Sequence, residues 1–82
     1  MDYTVKAYPN PFKYNFKLKL TSASEDKVEV MVYDMLGRMI TSKKVDAANI
    51  NTVELGEEYT AGVYNIIIRQ GNDIKTLRMI KM

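Results

Sequence analysis

Two acidic pairs contain the side chains of this sequence that are best suited to chemistry. Glu57 and Glu58 are adjacent carboxylates, and a pair of carboxylates serves as acid and base in glycoside hydrolysis. Neighbouring side chains of an extended chain point to opposite sides, so these two are not expected to converge on one substrate. Glu25 and Asp26 offer oxygen ligands for calcium, but a calcium site takes about six, and this loop lacks the D-x-D-x-D-G spacing. Both pairs are therefore predicted to be exposed loop charge.

The 82 residues contain no cysteine and no histidine. Their absence excludes a thiol nucleophile, an imidazole base, a disulfide and a zinc site with the usual ligands. A chain of this length buries only about 60 to 65% of its unfolded surface, which leaves little room for a deep active-site pocket. We therefore expect a domain that is not an enzyme and that has no catalytic residues, no metal and no cofactor.

The charges are nearly balanced and dispersed. Twelve Lys and Arg stand against ten Asp and Glu, and no basic run is longer than Lys43-Lys44, whereas nucleic acid binding favours a concentrated basic stripe. No apolar stretch reaches the ~18 residues that span a bilayer, and the N-terminal sequence MDYTVKAYPNP lacks the order of a signal peptide. We expect one domain over residues 1–82, with no nucleic acid partner and no membrane span. If this domain is exported, it is expected to be a fragment of a longer secreted protein.

Alternation of apolar and polar residues predicts the elements of the fold. Val28, Val30 and Val32 alternate with more polar neighbours, as in a strand with one face on a core. The same pattern, bounded by turn residues, predicts seven strands, at residues 3–8, 15–21, 28–33, 38–45, 50–55, 63–69 and 74–82. No segment has a helical period. Short strands with turns about every 8 to 12 residues are typical of an all-β, seven-stranded antiparallel immunoglobulin-like β-sandwich.

Three connections have specific predicted roles. Asp34 is placed to cap a type I turn that Gly37 closes in a left-handed conformation. Pro9 and Pro11 lack backbone donors, so they predict a corner or an edge, after which Phe12 turns back onto the core. The polar segment 56–62 is long enough to cross from one sheet to the other.

Four segments occur in a fixed order along the chain: YPNPF, VYDMLGR, ELGEEYTAGVYNIII and TLRMIKM. Together they resemble the C-terminal sorting domain of the type IX secretion system of Bacteroidetes bacteria, over about residues 8–82. The resemblance implies a domain that follows a cargo protein and directs it across the outer membrane. It also implies two partners, the outer-membrane translocon and a sortase-like processing protease. The cargo, which is absent from these 82 residues, would pass through the periplasm and end secreted or on the cell surface, released or joined to lipopolysaccharide.

The resemblance also assigns family motif positions in this chain. They are Pro9, Asn10, Pro11, Gly37, Arg38, Gly62, Tyr64 and Lys81. Turn geometry and burial predict structural roles for the prolines, Gly37 and Tyr64. Arg38 and the final strand are the better candidates for recognition, because an exposed Arg offers bidentate hydrogen bonds and a terminal edge strand can extend a partner's sheet.

Two other readings remain open from the sequence. A non-catalytic sandwich that binds carbohydrate or spaces other domains would be favoured if Tyr3, Tyr14 and Tyr33 formed an exposed, coplanar aromatic row. Exposed strand edges would also allow the isolated domain to pair with a second copy into a homodimer.

Overall fold

The computed structural model describes residues 3–82 as two antiparallel sheets that pack face to face. A three-stranded sheet has the order β1-β2-β5, and a four-stranded sheet has the order β4-β3-β6-β7. The strands are β1 (Thr4–Tyr8), β2 (Phe16–Thr21), β3 (Val28–Tyr33), β4 (Met39–Val45), β5 (Glu54–Leu55), β6 (Gly62–Gln70) and β7 (Asp73–Lys81). This architecture confirms the predicted seven-stranded antiparallel sandwich.

The core lies between the sheets and follows the predicted alternation. Phe16 and Leu18 of the smaller sheet face Val30, Ile66 and other aliphatic residues of the larger sheet, all of them fully buried. Phe12, which follows the proline segment, is also fully buried, as predicted, and its ring meets that of Phe16 edge to face at 4.9 Å. Such a pair adds about 0.5–1.5 kcal/mol beyond the area that it buries.

The predicted strand at residues 50–55 is wrong for most of its length. A 3₁₀ helix occupies Ala47–Thr52, so the expectation that no segment is helical is also wrong, and only Glu54–Leu55 pair with β2. The reason lies in the spacing of the apolar residues. Ile50 and Val53 are three apart, which matches one 3₁₀ turn, and both are buried by it.

Two strands of the larger sheet have the positions that the sequence predicts. β6 lies between β3 and β7 and is therefore central, while β4 is an edge strand with mostly exposed side chains. A register shift beside Tyr33 leaves Ile40 as an extra residue in β4, which is a β-bulge. Residues 56–61 connect β5 of one sheet to β6 of the other, as predicted.

Helical structure is minor in the part of the chain that the structure describes. The 3₁₀ helix has six residues, and no helix within residues 3–82 has the length and apolar character needed to cross a membrane.

Candidate recognition site

The segment Asp34–Arg38, here called the DMLGR turn, is held by hydrogen bonds that centre on Asp34. Its Oδ1 accepts from the backbone N–H groups of Leu36 and Arg38, both at 2.9 Å, and its Oδ2 accepts from Arg38 Nε at 2.8 Å. Two backbone hydrogen bonds of 3.0 Å close the turn, from Gly37 N to Asp34 O and from Asp34 N to Arg38 O. Gly37 has φ +81°, the left-handed conformation that the sequence predicts. The turn is therefore ordered by its own contacts.

The electrostatics of the turn favour an ionised Asp34. The Arg38 backbone N–H, and after it the Arg38 guanidinium and the Leu36 N–H, hold the pKa of the Asp34 carboxyl below its usual range. A carboxyl whose pKa falls on folding stabilises the folded state above its unfolded pKa, and that contribution is lost as the pH falls through the folded pKa. The turn is thus fully stabilised at neutral pH.

The same geometry directs large side chains toward solvent. Met35 is 63% exposed and Leu36 is 79% exposed. The Arg38 side chain is 72% exposed, although its Nε is paired with Asp34. An ordered turn that presents two apolar side chains and a guanidinium is a surface suited to contact with a partner.

Two surface hollows flank the DMLGR turn. One, of about 270 Å³, lies between the turn and residues 60–64, and both Arg38 and Gly62 line it. The other, of about 520 Å³, lies on the outer face of the four-stranded sheet, where Tyr33 and Ile67 line it. The turn is therefore a ridge between two shallow surfaces.

Tyr64 contributes mainly to packing behind the first hollow. Its ring is buried, and its hydroxyl donates to the Thr60 carbonyl at 2.6 Å. The ring also stacks at a tilt on Tyr59, with 4.8 Å between centroids. Tyr64 thus supports the segment that forms the wall of the hollow.

The proline segment lies along the outer edge of β7. Asn10 acts there as a strand residue would, since its Nδ2 donates to Arg78 O and its Oδ1 accepts from Ile80 N, both at 3.1 Å. Phe12 continues the pairing, with its N–H donating to Ile80 O at 2.8 Å and its carbonyl accepting from Met82 N at 2.9 Å. The edge of β7 from Arg78 to Met82 is therefore already occupied within the domain.

The side chain of Lys81, in the same part of β7, is buried inside the domain. Its ammonium donates to the carbonyls of Gly56 at 2.6 Å, Tyr14 at 2.7 Å and Glu57 at 3.4 Å. It also lies 5.2 Å from the centre of the Phe12 ring. We call the segment Pro9–Phe12 together with Lys81 the C-terminal clamp, because it joins the last strand to the loop between β1 and β2 and to the connection between β5 and β6.

Gly56 completes the clamp and was not singled out in the sequence. A Cβ at this position would lie 2.5 Å from Cε2 of Phe12, and its φ is +100°. Only a glycine accommodates both the close ring and the backbone conformation. The available signal was weak, since one glycine before a polar loop is equally typical of an ordinary turn.

The eight motif positions form one continuous path at one end of the sandwich. The proline segment contacts β7, Lys81 of β7 is paired in register with Gly62 of β6, and Gly62 shares a hollow with Arg38. The acidic pairs behave differently: Glu57, Glu58, Glu25 and Asp26 are all exposed. No group of three or more potential metal ligands occurs within residues 3–82.

The tyrosines do not form the row that carbohydrate binding would need. Tyr14 is exposed, whereas Tyr3 and Tyr33 are half-buried. The Tyr3 hydroxyl donates to the Ile68 carbonyl of the opposite sheet at 3.1 Å, so this side chain takes part in packing. The carbohydrate-binding alternative gains no support from this arrangement.

Fold and site together define a small immunoglobulin-like β-sandwich that gathers its motif residues at one end. The family model of the secretion system C-terminal sorting domain matches residues 6–82, and the chain belongs to this family. A search of curated proteins found no match. The domain is therefore a sorting signal for type IX secretion, as the resemblance implied.

Proposed function

We propose that the secretion machinery reads the folded domain at the DMLGR turn and at the open part of the β7 edge. The observation that carries the proposal is the division among the motif residues. Asn10, Tyr64 and Lys81 use their polar atoms within the domain, whereas Arg38 extends from an ordered turn into solvent. The first group builds the fold, and Arg38 is left for a partner.

Arg38 is well prepared for recognition of an anionic group. Its Nε pairs with Asp34, which restricts the orientation of the guanidinium, and among residues 3–82 this is its single ion pair. Its terminal nitrogens are left to donate bidentate hydrogen bonds to a carboxylate or a phosphate. Because Asp34 has already restricted the side chain, binding orders it at a reduced entropic cost.

The final strand offers a second contact, which the clamp confines to its first half. Outward-pointing backbone groups alternate along a strand, and those of Arg78 and Ile80 are bound by the proline segment. By the same alternation the backbone groups of Ile74 and Thr76 point away from β6, and no other strand within residues 3–82 pairs with them. A strand of the translocon would therefore extend the sheet along residues 73–77.

The later steps act on the cargo. We propose that a sortase-like protease cuts upstream of the first strand, after which the cargo is released or attached to the cell surface. In this scheme the domain passes through the periplasm and the outer membrane as a signal without catalytic activity. Pairing of two copies along β4 would be a property of the isolated domain, and light scattering over a concentration series measures it.

Export of a fusion protein tests this function. A periplasm-targeted fluorescent protein is placed ahead of residues 1–82 and produced in a type IX-competent bacterium and in a strain that lacks the translocon. We expect fluorescence in the medium or on the surface of the competent strain alone. Equal retention in both strains, with the fusion folded and intact, would contradict the proposal. Glu57→Ala and Glu58→Ala are matched surface controls that should export normally.

A further inference from the structure

The apolar tip of the DMLGR turn has no structural role that explains its composition. Met35 and Leu36 are among the most exposed large apolar side chains of the described chain, and the hydrogen bonds of the turn use none of their side-chain atoms. A turn that needs only Asp34 and Gly37 would accept polar residues at both positions. The ordered backbone nevertheless holds two apolar side chains in water.

The surface beside the tip is partly apolar. Strand register places Met39, Tyr33, Asn65 and Arg78 in one row across the outer face of the four-stranded sheet. The hollow of about 520 Å³ lies against this row, and Met35 forms part of its wall together with Ile67. The tip and the outer sheet face are therefore one continuous surface.

The charged side chains of the two hollows and of the row are two arginines, Arg38 and Arg78, and one carboxylate. Asp34 is the single carboxylate among the described residues that line the two hollows, and it is paired with Arg38. Arg78 stands exposed at the end of the row and forms no ion pair within residues 3–82. An occupant that complements this surface must combine apolar groups with carboxylates.

We propose that Met35 and Leu36 insert into an apolar pocket of a partner protein whose rim carries carboxylates that pair with Arg38 and Arg78. The inference rests on the proposed function and deepens it, since the partner would be a component of the secretion machinery. Two guanidiniums match a small acidic rim, whereas an anionic membrane surface is usually bound by a cluster of about 4–8 basic residues. A second copy of this chain would bring like charges together.

The rigidity of the turn makes this tip an effective anchor. Binding usually orders flexible side chains and loops, which weakens the affinity. Here the backbone of the tip is already ordered by the hydrogen bonds to Asp34. Large apolar side chains at the centre of an interface commonly dominate the binding energy.

Binding to the detergent-solubilised type IX outer-membrane translocon, with residues 1–82 immobilised, tests the inference. The double variant Met35→Ser/Leu36→Ser should weaken binding about tenfold or more. Tyr14→Ser is the matched control, because its side chain is 71% exposed and lies outside the proposed surface, and it should bind as the wild type does. Arg78→Glu should weaken binding, whereas Arg78→Lys should retain most of it.

Export of the same variants separates this inference from the proposed function. If the wild-type fusion is not exported through the translocon, the proposed function fails. If the wild type is exported and the double variant is exported equally well with an unchanged melting temperature, the inference alone is overturned.

Binding of the wild type, but not of the double variant, to vesicles of phosphatidylethanolamine and phosphatidylglycerol would assign the tip to a lipid surface instead. Loss of a concentration-dependent dimer in the double variant would assign it to self-association. Either result would overturn the proposal that the tip binds a partner protein.

Discussion

The DMLGR turn and the C-terminal clamp lie at the same end of the sandwich and use their polar groups in opposite ways. In the clamp, Asn10 and Lys81 bond to backbone atoms far away in the chain. In the turn, the bonds of Asp34 and Arg38 within residues 3–82 join them to each other and to the backbone between them, and large side chains remain exposed. The clamp therefore stabilises the whole fold, whereas the turn stabilises only itself.

This difference separates two requirements of a folded sorting signal. The last strand must be fixed to the rest of the domain, which Lys81 achieves by joining it to two loops at Tyr14 and at Gly56 and Glu57. A surface must also be presented to the machinery, which the turn achieves with a local hydrogen-bond network. Substitutions in the clamp should therefore act on export through folding, and substitutions in the turn should act on export directly.

Lys81→Met should have the largest effect on folding. It leaves three carbonyl groups without their donor, that of Gly56 buried and those of Tyr14 and Glu57 partly buried, and we expect a loss of about 3 kcal/mol of unfolding free energy. For a domain of this size the melting temperature should fall by roughly 15 °C. Thermal unfolding followed by circular dichroism measures the change. Lys75 is an exposed lysine of the same strand, and Lys75→Met is the control. An equal loss of stability in both variants would contradict the stabilising role proposed for the clamp.

Asn10→Ala should have the next largest effect. It removes both hydrogen bonds that the Asn10 side chain makes to the edge of β7 and should cost about 1–2 kcal/mol. Hydrogen exchange of the Ile80 amide should accelerate, because that N–H donates to Asn10 Oδ1. Asn72→Ala in the exposed β6–β7 turn should leave both quantities unchanged. If the Ile80 amide of Asn10→Ala exchanged as slowly as in the wild type, Asn10 would not be the group that protects the edge of β7.

Gly37→Ala should strain the turn without a steric clash. Apart from its two chain neighbours, no atom of residues 3–82 lies within 4 Å of a Cβ at this position, so the cost arises from the left-handed φ alone and should be about 1 kcal/mol. Gly37→Asn should recover most of the loss, since asparagine tolerates this conformation. Chemical denaturation of the three proteins measures the differences. A variant Gly37→Asn as unstable as Gly37→Ala would point to a cause other than backbone conformation.

Acid should weaken the turn through Asp34. The lowered pKa of Asp34 means that its contribution to stability is complete above the unfolded carboxyl pKa, about 3.9, and is lost as the pH falls further. The difference in unfolding free energy between the wild type and Asp34→Asn should therefore be constant from pH 7 to about pH 5 and then shrink. Glu29, whose pKa is also lowered, titrates in both proteins and cancels in the difference. If the difference in unfolding free energy increased as the pH fell, the proposed role of the Asp34 carboxylate would be contradicted.

The sequence predicted the turn more fully than the clamp because their hydrogen bonds span different distances along the chain. The bonds of the turn join residues at most four positions apart, so Asp34 and Gly37 could be assigned from local rules. The side chain of Asn10 bonds to residues 68 and 70 positions away, and Lys81 binds carbonyls of distant loops. Such pairings depend on the assembled fold, and a lysine in a terminal strand is ordinarily expected in solvent.

The remaining error arose where two periods coincide. Val53 and Leu55 alternate as in a strand, while Ile50 and Val53 have the spacing of a 3₁₀ turn. The 3₁₀ turn buries both Ile50 and Val53 in the core, and only Phe16 and Lys17 of β2 are left to pair with β5. The exposure of Met35 and Leu36 could be anticipated from their place in a predicted turn, but the partly apolar surface beside them emerged only from the register of the sheet.

The most direct test of the account is the effect of Arg38→Ala on export, measured together with its effect on folding. Arg38 is exposed, and exposed ion pairs contribute little to stability, so the melting temperature should stay within experimental error of the wild type. The extracellular fraction of a translocon-dependent fusion should nevertheless fall clearly, and Lys81→Met should lose export only in proportion to its loss of folded protein. Normal export of Arg38→Ala, or a loss fully explained by a lower melting temperature, would show that the turn is a structural element and would contradict the account.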